Sequence, residues 1–222
     1  MSLDLSQYKT MVFDCDGVVL NSNKVKTQAF YDATLSFGHD KAQALVDYHI
    51  LNGGVSRYLK FEYFIQRILH QPFSSGLYEQ LLERFAREVK AGLLKSELAR
   101  GIEELRQQTS HVKWLIVSGG DQDELREVFS ARGLAEWFDG GIFGSPDNKD
   151  AILKRELENY TIKSPALFLG DSKYDYEAAH RAGLDFVFLS DWTEVKDWRE
   201  YVQRYRLPAA TSISCLLNVH QG

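Results

Sequence analysis

The stretch that decides the fold is Lys9-Thr10-Met11-Val12-Phe13-Asp14-Cys15-Asp16-Gly17-Val18. Its first half is a short apolar run with β-branched and aromatic side chains, which predicts a buried strand. Asp14 and Asp16 follow, and in a continuing strand they would share a face. Carboxylates that close repel each other unless a cation neutralises them, and Gly17 permits a sharp turn. The stretch therefore indicates a cation site at a strand end, with a solvated strand-to-loop junction as the alternative.

Further strands with polar ends follow later in the chain. Residues 114–117 and 166–169 are apolar and predict two more buried strands. In open α/β sheets, ligands bind at the carboxyl ends of the strands, so the polar residues that follow should converge. Those residues are Ser118 and Gly119 after one strand, Asp171 and Asp175 after the other, and Lys149 before an amphipathic segment.

The pattern of these residues resembles the haloacid dehalogenase superfamily of hydrolases. The resemblance is to the phosphoglycolate phosphatase and β-phosphoglucomutase-like branch, which carries an α-helical cap after the first motif. Asp-x-Asp-Gly-Val at 14–18 matches the first motif, Ser118 the second, Lys149 the third, and Gly-Asp-x-x-x-Asp at 170–175 the fourth. The match follows nearly the whole chain in order. The first and fourth motifs are specific together, whereas a single Ser or Lys is not.

The resemblance implies a phosphoric monoester hydrolase that acts through an aspartyl-phosphate. Asp14 would attack phosphorus, and Asp16 would protonate the leaving group and then take a proton from water. Ser118 and the Gly119 amide would bind a phosphoryl oxygen. Lys149 would offset the charge of the pentacoordinate state. The substrate would be a small phosphorylated metabolite, a sugar phosphate or a phosphoglycolate-like compound.

The resemblance also implies a Mg²⁺ cofactor. The side chains of Asp14 and Asp171 and the backbone carbonyl of Asp16 would hold the ion, because hard oxygen ligands suit Mg²⁺. Asp175 is assigned to the same metal site, where it would orient Lys149 or a metal water.

The middle of the chain contains only predicted helices. Helices are expected over 22–37 and 40–51, after Ser56, and along the apolar stripe at 77–89. This run is much longer than a crossover between parallel strands requires. We therefore expect an inserted all-α cap at 22–94. The core domain, at 1–21 and 95–222, would be a Rossmann-like parallel sheet flanked by helices, which makes the fold α/β.

The core segment after the cap alternates between strands and helices, as a parallel sheet requires. The tail is ambiguous, with a helix around 195–204 and either a strand or a helical turn at 211–217. The expected strands are 113–117, 141–143, 166–169 and 186–189, and the expected helices are 121–132, 149–159 and 174–182.

Arg57 is the cap residue that we expect to bind substrate. It follows the Gly53-Gly54 turn, which could direct it toward the core. A guanidinium there could hold a second anionic group of the substrate through two hydrogen bonds. The alternative is a solvent-exposed arginine at a helix start.

Three other functions fit the same fold. A dehalogenase of the founding type would lack the second acid of the first motif, but Asp16 is present. A phosphomutase is the main alternative to a phosphatase. Lys26 stands where that branch has a His, and Gly170 stands where it has an extra acidic ligand, so both favour a phosphatase. A non-catalytic binding protein is disfavoured because all four charged motif positions are retained.

The composition is that of an ordinary soluble globular chain. The 222 residues are 44% hydrophobic and 26% charged, with a net charge of −5, which argues against a nucleic-acid partner. Cys15 and Cys215 suggest no disulfide framework and fit the cytoplasm. Asn21 stands where a Cys-x5-Arg phosphatase loop would need arginine. No leader or membrane-spanning run is predicted. The oligomeric state stays open, and a monomer is acceptable.

Overall fold

A six-stranded sheet forms the centre of the protein. The computed structural model describes residues 4–217, and the strands and helices alternate along much of that range. The strands are β1 Thr10–Phe13, β2 Lys113–Asp121, β3 Gly141–Ser145, β4 Ala166–Gly170, β5 Asp185–Leu189 and β6 Ala209–Ala210. The α-helices are α1 Asn23–Thr34, α2 His39–Leu51, α3 Arg57–Tyr63, α4 Ser75–Lys95, α5 Ile102–Gln108, α6 Gln122–Ala131, α7 Lys149–Glu158, α8 Lys173–Arg181, α9 Trp198–Tyr205 and α10 Ser214–Leu217.

All strands of the sheet are parallel, in the order β3-β2-β1-β4-β5-β6. β1 is central, and its residues alternate between two apolar clusters. Met11 and Phe13 pack on one face with Trp114, whereas Val12 packs on the other with Phe168. This alternation follows from the two-residue period of a strand. The expected parallel sheet flanked by helices is confirmed.

The insertion between β1 and β2 is helical, as expected for a cap. It contains α1–α4 and a π-helical turn at Phe64–Ile68 that continues from α3. Phe30, Phe61 and Phe85 form its aromatic centre, with Phe30 and Phe85 ring centroids 4.2 Å apart. Large buried aromatics at this spacing stabilise a small helical unit.

The two chain segments that join the insertion to the sheet lie side by side. The Asn21 amide donates to the Glu97 carbonyl at 2.9 Å, and the Ala99 amide donates to the Val19 carbonyl at 2.9 Å. Both connections between the insertion and the sheet therefore run through the same small region. Within residues 4–217, no helix has the length and apolarity that crossing a membrane would require.

The tail resolves the ambiguity left by the sequence. The helix predicted around 195–204 is α9, and residues 209–210 add the last strand beside β5. Residues 214–217 form a helical turn rather than a strand. The last residues of the predicted core domain, 218–222, lie outside the described part of the chain.

Candidate active site

The site lies where the strand order reverses. β1 and β4 are neighbours, but the chain continues outward from them in opposite directions along the sheet. At such a switch point, the loops after the two strands diverge and leave a crevice for a ligand. The Asp14 amide donates to the Leu169 carbonyl at 3.0 Å, so the first and fourth motifs begin side by side.

Lys149 joins the two motifs. It is the first residue of α7, whose N-terminus is capped by the Asn148 side chain accepting from the Ala151 amide at 2.8 Å. Its Nζ donates to Asp14 Oδ1 at 2.6 Å and also to Asp175 Oδ1. Burial opposes the lysine charge, but the two carboxylates raise its pKa above the ordinary value. Lys149 is therefore a fixed cation beside the expected nucleophile.

Burial dominates the ionisation of Asp14. It raises the pKa of this carboxyl to about 7, against the attraction of Lys149, and the charges of Asp175 and Asp16 add to the rise. A further cation nearby would favour the ionised form of this carboxyl.

Asp175 is positioned by hydrogen bonds at both oxygens. Its Oδ1 accepts from Lys149, and its Oδ2 accepts from the Asp171 amide, the Ser172 amide and the Ser172 hydroxyl at 3.2, 3.0 and 2.7 Å. The Ser172 side chain in turn caps α8, which makes a reciprocal capping box. The arrangement places Asp175 behind Lys149, where it orients the ammonium group.

Asp171 and Asp14 form the open part of an acidic cluster. Oxygens of Asp14, Asp171 and Asp175 all lie within 4.8 Å of one another. The pKa of Asp171 lies well above its usual range, because burial and the charges of Asp175 and Asp14 disfavour ionisation. Lys149 donates to Asp14 and Asp175 but not to Asp171. A metal cation between Asp14 and Asp171 would therefore give Asp171 a positively charged partner. These residues fit Mg²⁺, which prefers a few carboxylate oxygens and retains waters.

Gly17 allows the first motif to turn beside this cluster. Its φ is 78°, and a Cβ at this position would lie 2.1 Å from Asp171 Oδ2. Only glycine satisfies both the left-handed backbone and the close approach. The side-chain amide of Asn23 donates to the same Oδ2 at 2.7 Å and holds Asp171 in place.

Asp16 faces different partners from Asp14. β1 ends at Phe13 and the chain turns, so the two acids do not stand on one continuing strand. Asp16 accepts from the Ser22 hydroxyl at 2.6 Å and forms a buried ion pair with Lys26 of α1. Burial opposes its charge, but Lys26 and these hydrogen bonds lower its pKa below the ordinary value. Asp16 is therefore ionised in this arrangement.

The second motif lies inside a strand rather than after it. β2 was expected to end at residue 117, but it extends to Asp121 with an irregular register between Val117 and Asp121. Ser118 is fully buried, and its hydroxyl accepts from the Gly120 amide at 3.0 Å. Gly119 lines the cavity beside Asp14 and Asp16. Its expected role in binding a phosphoryl oxygen stays a prediction.

Arg57 is buried, so the alternative of a solvent-exposed arginine at a helix start is wrong. Its guanidinium donates to both carboxylate oxygens of Glu124 on α6, at 3.1 and 2.5 Å, and lies 4.7 Å from the centre of the Phe85 ring. Arg57 still lines the cavity, and its role in binding substrate stays a prediction. Its first structural role is to join α3 of the insertion to the sheet domain.

A glycine seam lies between the insertion and the last part of β2. The seam is the contact of Gly54 with Gly119. A Cβ on Gly119 would lie 2.2 Å from the Gly54 carbonyl oxygen, so no side chain fits there. Tyr58 adds a contact nearby by donating to Asp121 at 2.7 Å.

The enclosed space above Asp14 is small. This inner cavity has a volume of about 50 Å³, which suffices for a few water molecules. A larger cavity of about 570 Å³ adjoins it between α2 and α8, and Gly53 and Glu194 line both. A short ligand would fit the inner cavity, and a longer one would extend into the larger cavity.

Among the residues of the inner cavity that sequence reasoning missed are three basic side chains: Lys26, Lys60 and His49. Lys26 was weighed only as the replacement of a histidine. A signal was present, because Lys26 falls in helical register with the buried Phe30 and Ala33. Lys60 likewise stands beside Phe61 on the buried face of α3. A lysine on an apolar helical stripe points inward, and a buried lysine needs a partner.

Cys15 has no place in this chemistry. It is fully buried, and burial raises the pKa of its thiol well above the ordinary value. The neutral thiol is a poor nucleophile, in agreement with the absence of a Cys-x5-Arg loop.

Comparison with known proteins agrees with this geometry. A family model described as haloacid dehalogenase-like hydrolase matches residues 8–183. The chain therefore belongs to the haloacid dehalogenase-like hydrolases. A comparison with curated proteins gave no significant match.

Solved structures support the same fold. A hydrolase from Pseudomonas syringae is 20% identical with a TM-score of 0.74, over 95% of this chain and 96% of that one. A predicted phosphatase from Clostridium acetobutylicum is 18% identical with a TM-score of 0.71, over 93% and 95%. A predicted phosphoglycolate phosphatase from Haemophilus somnus is 18% identical with a TM-score of 0.64, over 84% and 87%. At these identities, the likeness extends to the fold alone.

Proposed function

We propose that this protein is a Mg²⁺-dependent phosphatase that hydrolyses a small phosphorylated metabolite through an aspartyl-phosphate on Asp14. The observation that carries the proposal is the contact of Lys149 with Asp14 and Asp175 beside the cluster that Asp171 completes. A nucleophilic carboxylate, a fixed cation and a cation site are what phosphoryl transfer requires.

The residues divide the reaction between them. Asp14 attacks phosphorus while Lys149 stabilises the charge of the pentacoordinate state. The Gly119 amide and the Ser118 segment bind a phosphoryl oxygen, and Asp175 keeps Lys149 in place. Mg²⁺, held by Asp14, Asp171 and the backbone of Asp16, would neutralise phosphoryl charge when bound.

Asp16 carries the protons. In its ionised form, paired with Lys26, it accepts a proton from the water that hydrolyses the aspartyl-phosphate. Protonating the leaving oxygen in the first step requires the acid form, which the Lys26 contact disfavours. Loosening of that contact as substrate enters would release Asp16 for this step.

The insertion acts as a cap over this chemistry. We propose that residues 22–94 move as a unit on a core formed by 1–21 and 95–222, about the paired connections at Asn21 and Glu97. Closure would expel water from the inner cavity before Asp14 attacks, and Lys26 would pair with Asp16 again once the leaving group has taken its proton.

The proposal is tested by phosphate release from p-nitrophenyl phosphate and from a panel of small phosphorylated metabolites. Activity should require Mg²⁺ and disappear in EDTA. Asp14→Asn should lower turnover roughly a thousandfold or more, because the nucleophile is lost. Asp191→Asn, which changes an exposed acid, is the control. Mass spectrometry of acid-quenched wild type should locate phosphate on the peptide that contains Asp14.

Full activity in chelator, or a near wild-type rate for Asp14→Asn, would refute the mechanism. The phosphomutase alternative predicts a different product. It would transfer phosphate within a sugar phosphate rather than release it, so a phosphate assay beside an isomer assay separates the two.

A further inference from the structure

Two cap side chains enter the inner cavity without a role in the reaction described above. Lys60 of α3 lies with its Nζ 2.7 Å from His49 Nδ1 of α2, and both line the cavity that contains Asp14 and Asp16. Lys60 is only 1% exposed. Its Nζ also lies 5.5 Å from the centre of the Phe30 ring, so the surroundings on that side are apolar.

Lys60 differs from the other buried cations of the site in its counter-charge. Lys26 pairs with Asp16, Lys149 pairs with two aspartates, and Arg57 pairs with Glu124. Across residues 4–217, Lys60 forms no ion pair with a carboxylate, and its hydrogen-bond partner is His49. A buried ammonium group without an anion is costly.

The pKa values of Lys60 and His49 are those of a buried pair without an anion in contact. Burial, and then the charge of Lys26, lower the pKa of Lys60 to about 7, while the carboxylates of Asp16 and Glu194, which form no ion pair with it, act in the opposite direction without offsetting the shift. Burial and the two lysines hold the pKa of His49 well below its ordinary value, so the imidazole is neutral. An anion placed against Lys60 would favour its protonated form and supply the absent charge.

We propose that Lys60, held by His49, binds a carboxylate of the substrate. The substrate is then a short phosphorylated acid, with its carboxylate a few bonds from the phosphate ester. This inference rests on the proposed function, since Asp14 defines where the phosphoryl group lies.

The position of Lys60 favours a carboxylate over larger groups. Lys60 lines the inner cavity, which also contains Asp14, and not the adjoining larger one, so its ligand lies close to the phosphoryl group. A second phosphate is bulkier than a carboxylate. The hydroxyl groups of a neutral sugar carry no charge to balance the ammonium group. A planar carboxylate meets both requirements.

The test compares two esters that differ only in this group. 2-Phosphoglycolate carries a carboxylate, and 2-hydroxyethyl phosphate carries a neutral hydroxymethyl group instead. Wild type should show the higher kcat/KM for 2-phosphoglycolate. In Lys60→Met the ratio of the two kcat/KM values should fall roughly tenfold to a hundredfold, the worth of a charged hydrogen bond. Lys41→Met, which removes an exposed cap lysine, should leave the ratio unchanged.

Binding provides a second readout that needs no turnover. 2-Phosphoglycolate should raise the melting temperature of wild type more than 2-hydroxyethyl phosphate does, and Lys60→Met should lose that difference. The melting temperature of the variant alone shows that it is folded.

Two results would overturn the inference: no preference for the carboxylate in wild type, or a preference that survives Lys60→Met within twofold. If wild type hydrolyses neither ester nor p-nitrophenyl phosphate, the proposed function fails. The binding difference then decides the subsite by itself.

Discussion

At the scale of single residues, Lys26 and Lys60 differ in what neutralises them. Both are buried lysines of the cap, and both line the inner cavity. Lys26 is bound to the carboxylate of Asp16, whereas Lys60 contacts a neutral imidazole. Removal of the two charges should therefore affect stability in opposite directions.

Lys26→Met should lower the free energy of unfolding by roughly 3–5 kcal/mol, because it leaves Asp16 buried without its cation. Lys60→Met should raise it by roughly 1–3 kcal/mol, because an unpaired buried charge is replaced by an apolar group. Urea unfolding of the ligand-free protein measures both. Equal losses in the two variants would show that Lys60 has a hidden counter-charge.

The pH dependence of these two effects follows from the signs of the pKa shifts. The pKa of Lys60 is lower in the folded protein, about 7, than in the unfolded chain. The cost in stability of burying the charged lysine is therefore full below pH 7. It falls as the pH rises from 7 toward the pKa of lysine in the unfolded chain, so the stabilisation of Lys60→Met should shrink in alkali. The pKa of Asp16 is lowered, so the stabilisation from its Lys26 pair is present above the ordinary carboxyl pKa and is lost as the pH falls.

The motif residues of the site could be identified from the sequence, but their partners could not. Asp14, Lys149 and Asp171 stand at strand and helix ends, where spacing along the chain determines position. Lys60 and Glu124 take part through contacts between separate helices. Such contacts depend on how the cap packs on the core, which no local pattern encodes.

At the scale of elements, the contact between α3 and α6 holds the cap against the core. Arg57 and Glu124 form a buried bidentate pair, and Lys90 with Glu127 forms an exposed pair further along. Breaking one buried partner leaves the other charge uncompensated. The buried pair should therefore dominate the stability of the closed arrangement.

A double-mutant cycle with Arg57→Met and Glu124→Leu tests this role. The two changes should couple by roughly 1–3 kcal/mol in unfolding and should alter kcat/KM alike for any phosphate ester. The matched cycle of Lys90→Met and Glu127→Leu should show little coupling, because water screens that pair. A loss confined to Arg57 variants, and to the physiological substrate, would instead support the expected substrate contact.

Element boundaries show where local sequence is insufficient. The helices of the cap and the first strand fall close to their predicted ends, since apolar periodicity and caps such as Ser56 mark them. β2 is longer than predicted because its last residue, Asp121, pairs with Ser145 of β3. That extension depends on the partner strand, so the sequence of residues 118–121 alone does not predict it.

At the scale of the whole molecule, metal binding and folding should be coupled. The acidic cluster of Asp14, Asp171 and Asp175 is buried, and two of its members have raised pKa values. A bound divalent cation would relieve this repulsion in the folded protein and find no such cluster in the unfolded chain.

Mg²⁺ should therefore raise the melting temperature, by an amount equivalent to about 2.7 kcal/mol at a hundred times its Kd. The shift should grow between pH 6 and pH 8, because protons compete for Asp14, whose pKa is about 7. Asp171→Asn should abolish the shift, whereas Asp191→Asn should retain it. Thermal unfolding with and without Mg²⁺ measures each. A shift that persists in Asp171→Asn would place the ion elsewhere.

The glycine seam has a consequence for how this enzyme could change its substrate range. Gly54 and Gly119 meet backbone to backbone, with no room for one added carbon atom. A methyl group at position 119 would push Gly54 and the cap outward, while it would not contact the side chains of Asp14, Lys149 and Asp171. The width of the active-site entrance is thus set beside the amide that we propose binds a phosphoryl oxygen, and a route to bulkier substrates begins at this seam rather than at the nucleophile.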